Sequence, residues 1–470
     1  MLFNTLSFVY FLPIVILLYY VLPHKFRWIL LLLASYVFYM AWRVEYIFLI
    51  IFSTLIDYYC SLKMETKETK KEKKKFLFLS LFSNLGLLFF FKYCNFFFDS
   101  INRLNSNIGL STEIPMLNYL LPVGISFYTF QTLSYTLDVY YGRQKVEKHL
   151  GYFALYVSYF PQLVAGPIER FSRLTPQLKE HHLFTYDNFV KGMRLILYGL
   201  FIKMVIADNL SVFVDQIYES PAEYNRLSIA LGLIFYSFQI YCDFHGYSTI
   251  AIGCALMMGV RIMDNFKTPY LSMNIGEFWQ RWHISLSTWF RDYVYFPLGG
   301  NKVRYKLWLR NIFVVFIVSG LWHGANWTFV VWGALYGIVY LIEKQINTRF
   351  DLINNFKAFS VGHILLSLKT FVFVTLIWVF FRSQNLDQAK ELFTALIQNS
   401  DSLISLDINP IIGIFFGLFI ISDLILYNNR FDRWCDQLSF ISRWIIYAIL
   451  MFSIIIFAGV KDFTFIYFQF

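Results

Sequence analysis

Two histidines, forty positions apart, stand in polar-aromatic runs of an otherwise lipid-like chain. His283 lies in FWQRWHISLSTWFRDY (residues 278–293) and His323 in SGLWHGANW (residues 319–327). An ionisable side chain inside an apolar stretch is expensive to hold at membrane depth, so its first reading is functional, facing a cavity. An imidazole takes and returns a proton near neutrality, which makes it the usual general base. The chemistry that follows is removal of a hydroxyl proton while that oxygen attacks an acyl carbonyl. His323 suits the base role, because Gly320 and Gly324 leave room for a substrate chain or a neighbouring helix. Its competing role is a structural hydrogen bond to another helix.

His283 reads as the supporting imidazole, polarising the acyl carbonyl or orienting the acceptor. A helical reading puts Trp279, Trp282, His283 and Phe290 near one face, as in an interfacial amphipathic helix seated by aromatic rings at the headgroup level. The alternative there is an anchor helix carrying an incidental histidine. Trp279, Trp322 and Asn326 flank the two histidines and join the candidate substrate-binding set. Arg291 and Asp292 could bind a polar donor headgroup or pair with their neighbours. Asp243, in YCDFHGY (residues 241–247), is an intramembrane acid that requires a polar partner. No phosphate-cradling GxxxxGK[ST], HExxH or GxSxG motif is present. The five cysteines are scattered without a CxxC pair, so neither a zinc site nor a disulfide framework is supported. No metal and no tightly bound cofactor is implied.

The elements that position these residues must be membrane helices. The chain is 58% hydrophobic and only 15% charged, whereas soluble domains carry about 25% charged residues. Runs 6–22, 119–137, 150–168 and 444–460 are long enough to span hydrocarbon, and 311–342 is longer still with His323 its only ionisable member. The first run lacks a basic leader and a small-residue cleavage site, so it reads as a retained span. The net charge of +10 is no nucleic-acid footprint. Much of it sits in KMETKETKKEKKK (residues 63–75), read as a short mixed-charge loop, and basic loops mark the cytoplasmic side. With three segments before that loop, the N-terminus would lie outside.

From residue 150 onward the apolar runs are broken by glycine, proline and charge. Irregular backbone at membrane depth is tolerated only where protein or water surrounds it. Residues 150–340 are therefore expected to form a core of broken or re-entrant helices around a polar cavity. We expect an all-α polytopic membrane protein of roughly eleven transmembrane helices plus re-entrant and interfacial helices. One domain would comprise N-terminal spans (1–148), a catalytic core (149–345), C-terminal spans (346–460) and a tail motif (461–470).

The two histidine runs, with LPVGISFYTFQ (121–131), PQLVAGP (161–167) and YVYFPLGG (293–300), resemble the membrane-bound O-acyltransferase family over nearly the whole chain. The resemblance is nearest to its alginate and peptidoglycan O-acetyltransferase branch. It implies a central tunnel, an essential histidine matching His323 and a second family position matching His283. The chain departs from the branch at His245, where relatives tend to carry a small residue. The resemblance further implies acetyl-CoA as acyl donor, a bacterial cytoplasmic membrane location, and a secreted or membrane-anchored serine acyltransferase as extracytoplasmic partner. The terminal FIYFQF (465–470) is similar to the end of a small peptide that accompanies the D-alanyl transfer branch, which implies Tyr467 as a possible acyl relay. D-alanyl transfer to teichoic acid is the alternative within the family. A lipid or acyl transporter is the alternative outside it.

Overall fold

The computed structural model describes residues 1–350, 356–457, 465 and 466. Among these the chain is helical, with a lone bridge between Tyr224 and Ile404 as its extended pairing. Among the described residues eight helices are long and apolar enough to cross a membrane, and two shorter apolar ones are Leu6–Val21 and Pro410–Ile425. The chain is an all-α polytopic membrane protein. Along Phe440–Phe457, Phe440, Ile441, Trp444 and Ile455 stay exposed. Such an apolar face is stable only against lipid, where a helix satisfies its own backbone groups.

The chain divides into two compact units, one of residues 1–190 with 254–263, the other of residues 191–253 with 264–470. In the first unit, two apolar runs differ from single spanning helices. Residues 150–168 break after Leu150–Ser158 into the short Phe160–Leu163 helix and an irregular segment. Pro161 and Pro167 offer no backbone N–H to prolong a helix, and the whole stretch from Phe153 to Ile168 is buried in protein. Within 119–137, helix begins only at Ile125. Gly124 precedes it with φ +76°, and a Cβ there would sit 2.8 Å from the Leu163 carbonyl oxygen, so glycine is required on two counts.

The basic stretch 63–75 is mostly helix rather than loop. Ile47–Glu65 ends in it and Lys70–Leu88 begins in it. Thr69 caps the second helix, accepting from the Glu72 amide at 3.3 Å while its hydroxyl reaches the Glu72 carboxylate at 2.8 Å. This reciprocal Thr-x-x-Glu cap satisfies N–H groups that a helix start leaves open. Between the same two helices, buried Asp57 accepts from Ser80 and from Asn84 Nδ2 at 2.9 and 3.0 Å. A buried carboxylate persists only with such donors.

In the second unit the apolar stretch 311–342 is a hairpin. Tyr305–His323 ends at Gly324 and Trp327–Phe350 begins three residues later. A Cβ on Gly320 would run into the Phe329 carbonyl, and one on Gly333 into the Phe316 carbonyl. The two backbones therefore touch through paired glycines, the small-residue contact by which membrane helices associate closely.

Candidate active site

The segment around His283 is two short helices, Ile275–Arg281 and Ile284–Phe290, with His283 as the hinge between them. It is not the continuous interfacial helix expected from its aromatic pattern. Phe278, Trp282, His283, Ser285, Leu286 and Trp289 are all buried, so the rings pack inside protein instead of seating a surface helix. His283 adopts φ +43°, a left-handed conformation uncommon for residues other than glycine that marks stored strain at functional positions.

Asn265 holds that strained hinge. Its backbone carbonyl accepts from the Ile284 amide at 3.0 Å. Its side-chain oxygen accepts from the Ser285 amide at 3.2 Å and the Ser285 hydroxyl at 2.9 Å. The same oxygen lies 3.2 Å from His283 Nδ1. A backbone amide can only donate, so the Asn265 atom facing Ser285 is oxygen, and His283 Nδ1 must carry the proton. Nε2 of the neutral ring is then a proton acceptor. Of the two roles open to His283, orienting a hydroxyl acceptor fits this tautomer. Polarising a carbonyl would need the charged ring, and burial pushes the His283 imidazole down to about 3.

That depression has a sign. The unfolded ring takes a proton near pH 6.5 and the folded one does not, so stability present above pH 6.5 is lost as pH falls towards about 3. The loss from this ring at pH 5 should be about 2 kcal/mol. His283→Asn should flatten the decline in thermal midpoint of the detergent-solubilised chain between pH 7 and 5. An unchanged slope would remove His283 as its source.

His323 closes the Tyr305–His323 helix, is 4% exposed, and its ring centroid is 6.4 Å from that of His283. Two hydrogen bonds of about 2.9 Å to one oxygen bridge nitrogens up to roughly 5.8 Å apart, which is the scale of this ring separation. Trp322 lies 4.9 Å from His323 and 6.0 Å from His283, while Trp332 and Phe381 lie 5.2 and 5.3 Å from His323, centroid to centroid. The indole N–H of fully buried Trp332 finds no acceptor among the described residues. It is a donor of the kind an acyl carbonyl oxygen uses.

The remaining expected site residues divide. Trp279 is half-buried and packs on Trp332 and Tyr336, so it belongs to the same aromatic wall. Asn326 binds the Gln384 carbonyl at 2.7 Å and accepts from the Thr328 amide at 3.1 Å, and these bonds fasten the hairpin turn. Arg291 is exposed and pairs with Asp292 at 2.8 Å. Asp243 is buried and pairs with Lys203 at 2.6 Å, while its neighbour Phe244 packs on His283 with centroids 4.6 Å apart. Tyr467 lies outside the described residues.

Sequence reading passed over Asn265, Lys203 and Trp332. Lys203 carried a visible signal, a lone cation in an apolar run that also contains Asp208 five residues on. Asn265 carried none, because its role depends on a strand-like approach of 265–268 to 281–284. Asn265 also lines a cavity of about 120 Å³, together with Tyr198, His245, Lys267, Arg430 and Arg433 and the acidic Asp264 and Asp423.

The family model for membrane-bound O-acyltransferases matches residues 53–383. The chain is 42% identical over 394 residues to a protein of Pseudomonas syringae pv. tomato named "Probable alginate O-acetylase", covering 83% of this chain and 74% of that protein. It is 35% identical over 429 residues to the peptidoglycan O-acetyltransferase of Helicobacter pylori, covering 84% and 80%. Against the teichoic acid D-alanyltransferase of Bacillus subtilis it is 28% identical over 237 residues, covering 48% and 59%.

Proposed function

The chain belongs to the membrane-bound O-acyltransferase family, and from that premise we propose that it carries acetyl from cytoplasmic acetyl-CoA towards an extracytoplasmic glycan. The membrane is the bacterial cytoplasmic membrane. The glycan is a peptidoglycan or an exopolysaccharide such as alginate. The observation that carries this reading is the pair of buried imidazoles, brought within 6.4 Å by a strained hinge and a helix end. Acetyl rather than D-alanyl is supported by similarity to acetylating proteins over more than four fifths of the chain, against 48% for the D-alanyl relative. Of the basic side chains lining the cavity beside Asn265, Arg430 is already paired with Asp264 and Asp432, and Lys267 and Arg433 are the ones whose charge suits the phosphates of coenzyme A.

In this mechanism His323 removes the proton of an acceptor hydroxyl, and the oxygen attacks the thioester carbonyl. His283 Nε2 orients that hydroxyl. The C–S bond breaks, and the thiolate takes the proton back from the His323 imidazolium. The first acceptor is the Tyr467 phenol, which becomes an acetyl ester. A second ester exchange passes the acetyl to a serine hydroxyl of an extracytoplasmic acyltransferase and restores the phenol. Two exchanges replace one difficult crossing.

The test is direct. Purified chain incubated with labelled acetyl-CoA should yield a C-terminal peptide bearing acetyl on Tyr467, read by tandem mass spectrometry. The label should be missing when His323 is glutamine. A wild-type tail that never carries acetyl during turnover would sink the relay.

A further inference from the structure

The intramembrane acid Asp243 holds the chain's own C-terminal segment. One carboxylate oxygen lies 2.6 Å from Lys203 Nζ, and the other accepts the backbone N–H of Ile466 at 2.7 Å. Lys203 also pairs with Asp208 at 2.5 Å. It stands in the π-helical turn Phe201–Ala207, whose wider winding lets side chains five residues apart meet. Glycine brings the cation within reach: a Cβ on Gly246 would lie 2.8 Å from the Gly199 carbonyl and 3.0 Å from Lys203 Cβ.

One buried lysine serves two carboxylates, so their remaining oxygens need further donors to be held away from water. The tail amide is one, and a hydrogen bond to an ionised acceptor is of the stronger kind. A backbone amide carries no sequence preference, so selectivity must come from the adjoining side chain. Phe465 is 1% exposed, with its ring 5.0 Å from Tyr247 and 6.1 Å from Phe244, centroid to centroid. Phe244 is also the ring packed on His283. One aromatic side chain thus touches both the docked tail and the strained hinge.

We propose that Asp243, held by Lys203, and the Phe244–Tyr247 slot form a docking site for residues 465 and 466, which positions the C-terminal segment for acyl transfer. Asp243, Lys203 and Phe465 are positioning residues, acting through where they hold the tail. The proposal rests on the acyl-transfer reading but not on Tyr467 being the relay.

Hydrogen exchange of the full-length detergent-solubilised chain, read on the C-terminal peptide, tests it. The Ile466 amide should exchange at least a hundredfold more slowly than a free peptide. Asp243→Asn and Phe465→Ala should each speed it at least tenfold. Phe465→Ala keeps the Lys203–Asp243 and Lys203–Asp208 pairs while undocking the tail, so the variant should still unfold in one cooperative thermal transition. Its kcat for acetyl transfer should fall at least tenfold with KM for acetyl-CoA unchanged, and Phe465→Leu should recover most of that loss. Free exchange at Ile466 in the wild type, or full protection or full turnover in Phe465→Ala, would overturn the docking site. Tyr467→Phe separates the two ideas. It should keep the protection, and lost protection would overturn the docking site; its turnover reports on the relay alone.

Discussion

His323→Gln should lower acetyl transfer by a factor of roughly 10²–10⁴, the range in which a positioned general base contributes. Glutamine nearly fills the imidazole volume, so the aromatic shell of Trp322, Trp332 and Phe381 should keep its packing and the thermal midpoint should move little. The measurement is initial rate of acetyl transfer from labelled acetyl-CoA, together with thermal unfolding of the same preparation. Retention of more than a tenth of the wild-type rate would remove His323 from the proton transfer. His283→Asn should cost less, because orientation and not proton abstraction is lost. If both rings serve one hydroxyl, the double variant should be hardly worse than His323→Gln alone, since groups acting as a unit are not additive.

Gly320→Ala should be strongly damaging for a single-methyl change. A helix-interior glycine replaced by alanine ordinarily gains about 0.5–1 kcal/mol from backbone entropy. Here the added carbon runs into the main-chain oxygen of Phe329, which cannot rotate away as a side chain would. Forcing a packed contact apart costs about 1–3 kcal/mol, and a backbone clash belongs at the upper end, so the substitution is net destabilising. It also lies one turn before His323, so separation of the hairpin displaces the base. Gly413→Ala is the control, because nothing lies within 4 Å of a Cβ there. Thermal unfolding of both variants should show Gly320→Ala lowered by several degrees and Gly413→Ala unchanged or slightly raised. Equal midpoints would mean that the hairpin backbones are not in contact.

Much of this protein was legible in its residues, and the pattern of what was not is instructive. The all-helical membrane class follows from apolar runs, because the free energy of leaving water is a sum over neighbouring residues. The broken core was signalled by Pro161, Gly166 and Pro167, whose backbone limits are local. The candidate pair His283 and His323 stood out because ionisable groups are rare in such runs. The aromatic periodicity around His283 was misleading: rings at helical spacing fit a surface anchor as well as a buried hinge, and only burial distinguishes them.

The sequence by itself determined class, family resemblance and the residues able to move a proton. The tertiary structure alone decided how they are used. It placed the Asn265 oxygen against Ser285 and thereby set the His283 tautomer. It bent 311–342 into a hairpin through Gly320 and Gly333, brought Lys203 to Asp243, and seated Ile466 on that same carboxylate. The physical reason is range. Hydropathy and backbone preference are properties of a few adjacent residues, whereas a hydrogen bond between residues 243 and 466 exists only after the chain between them has folded.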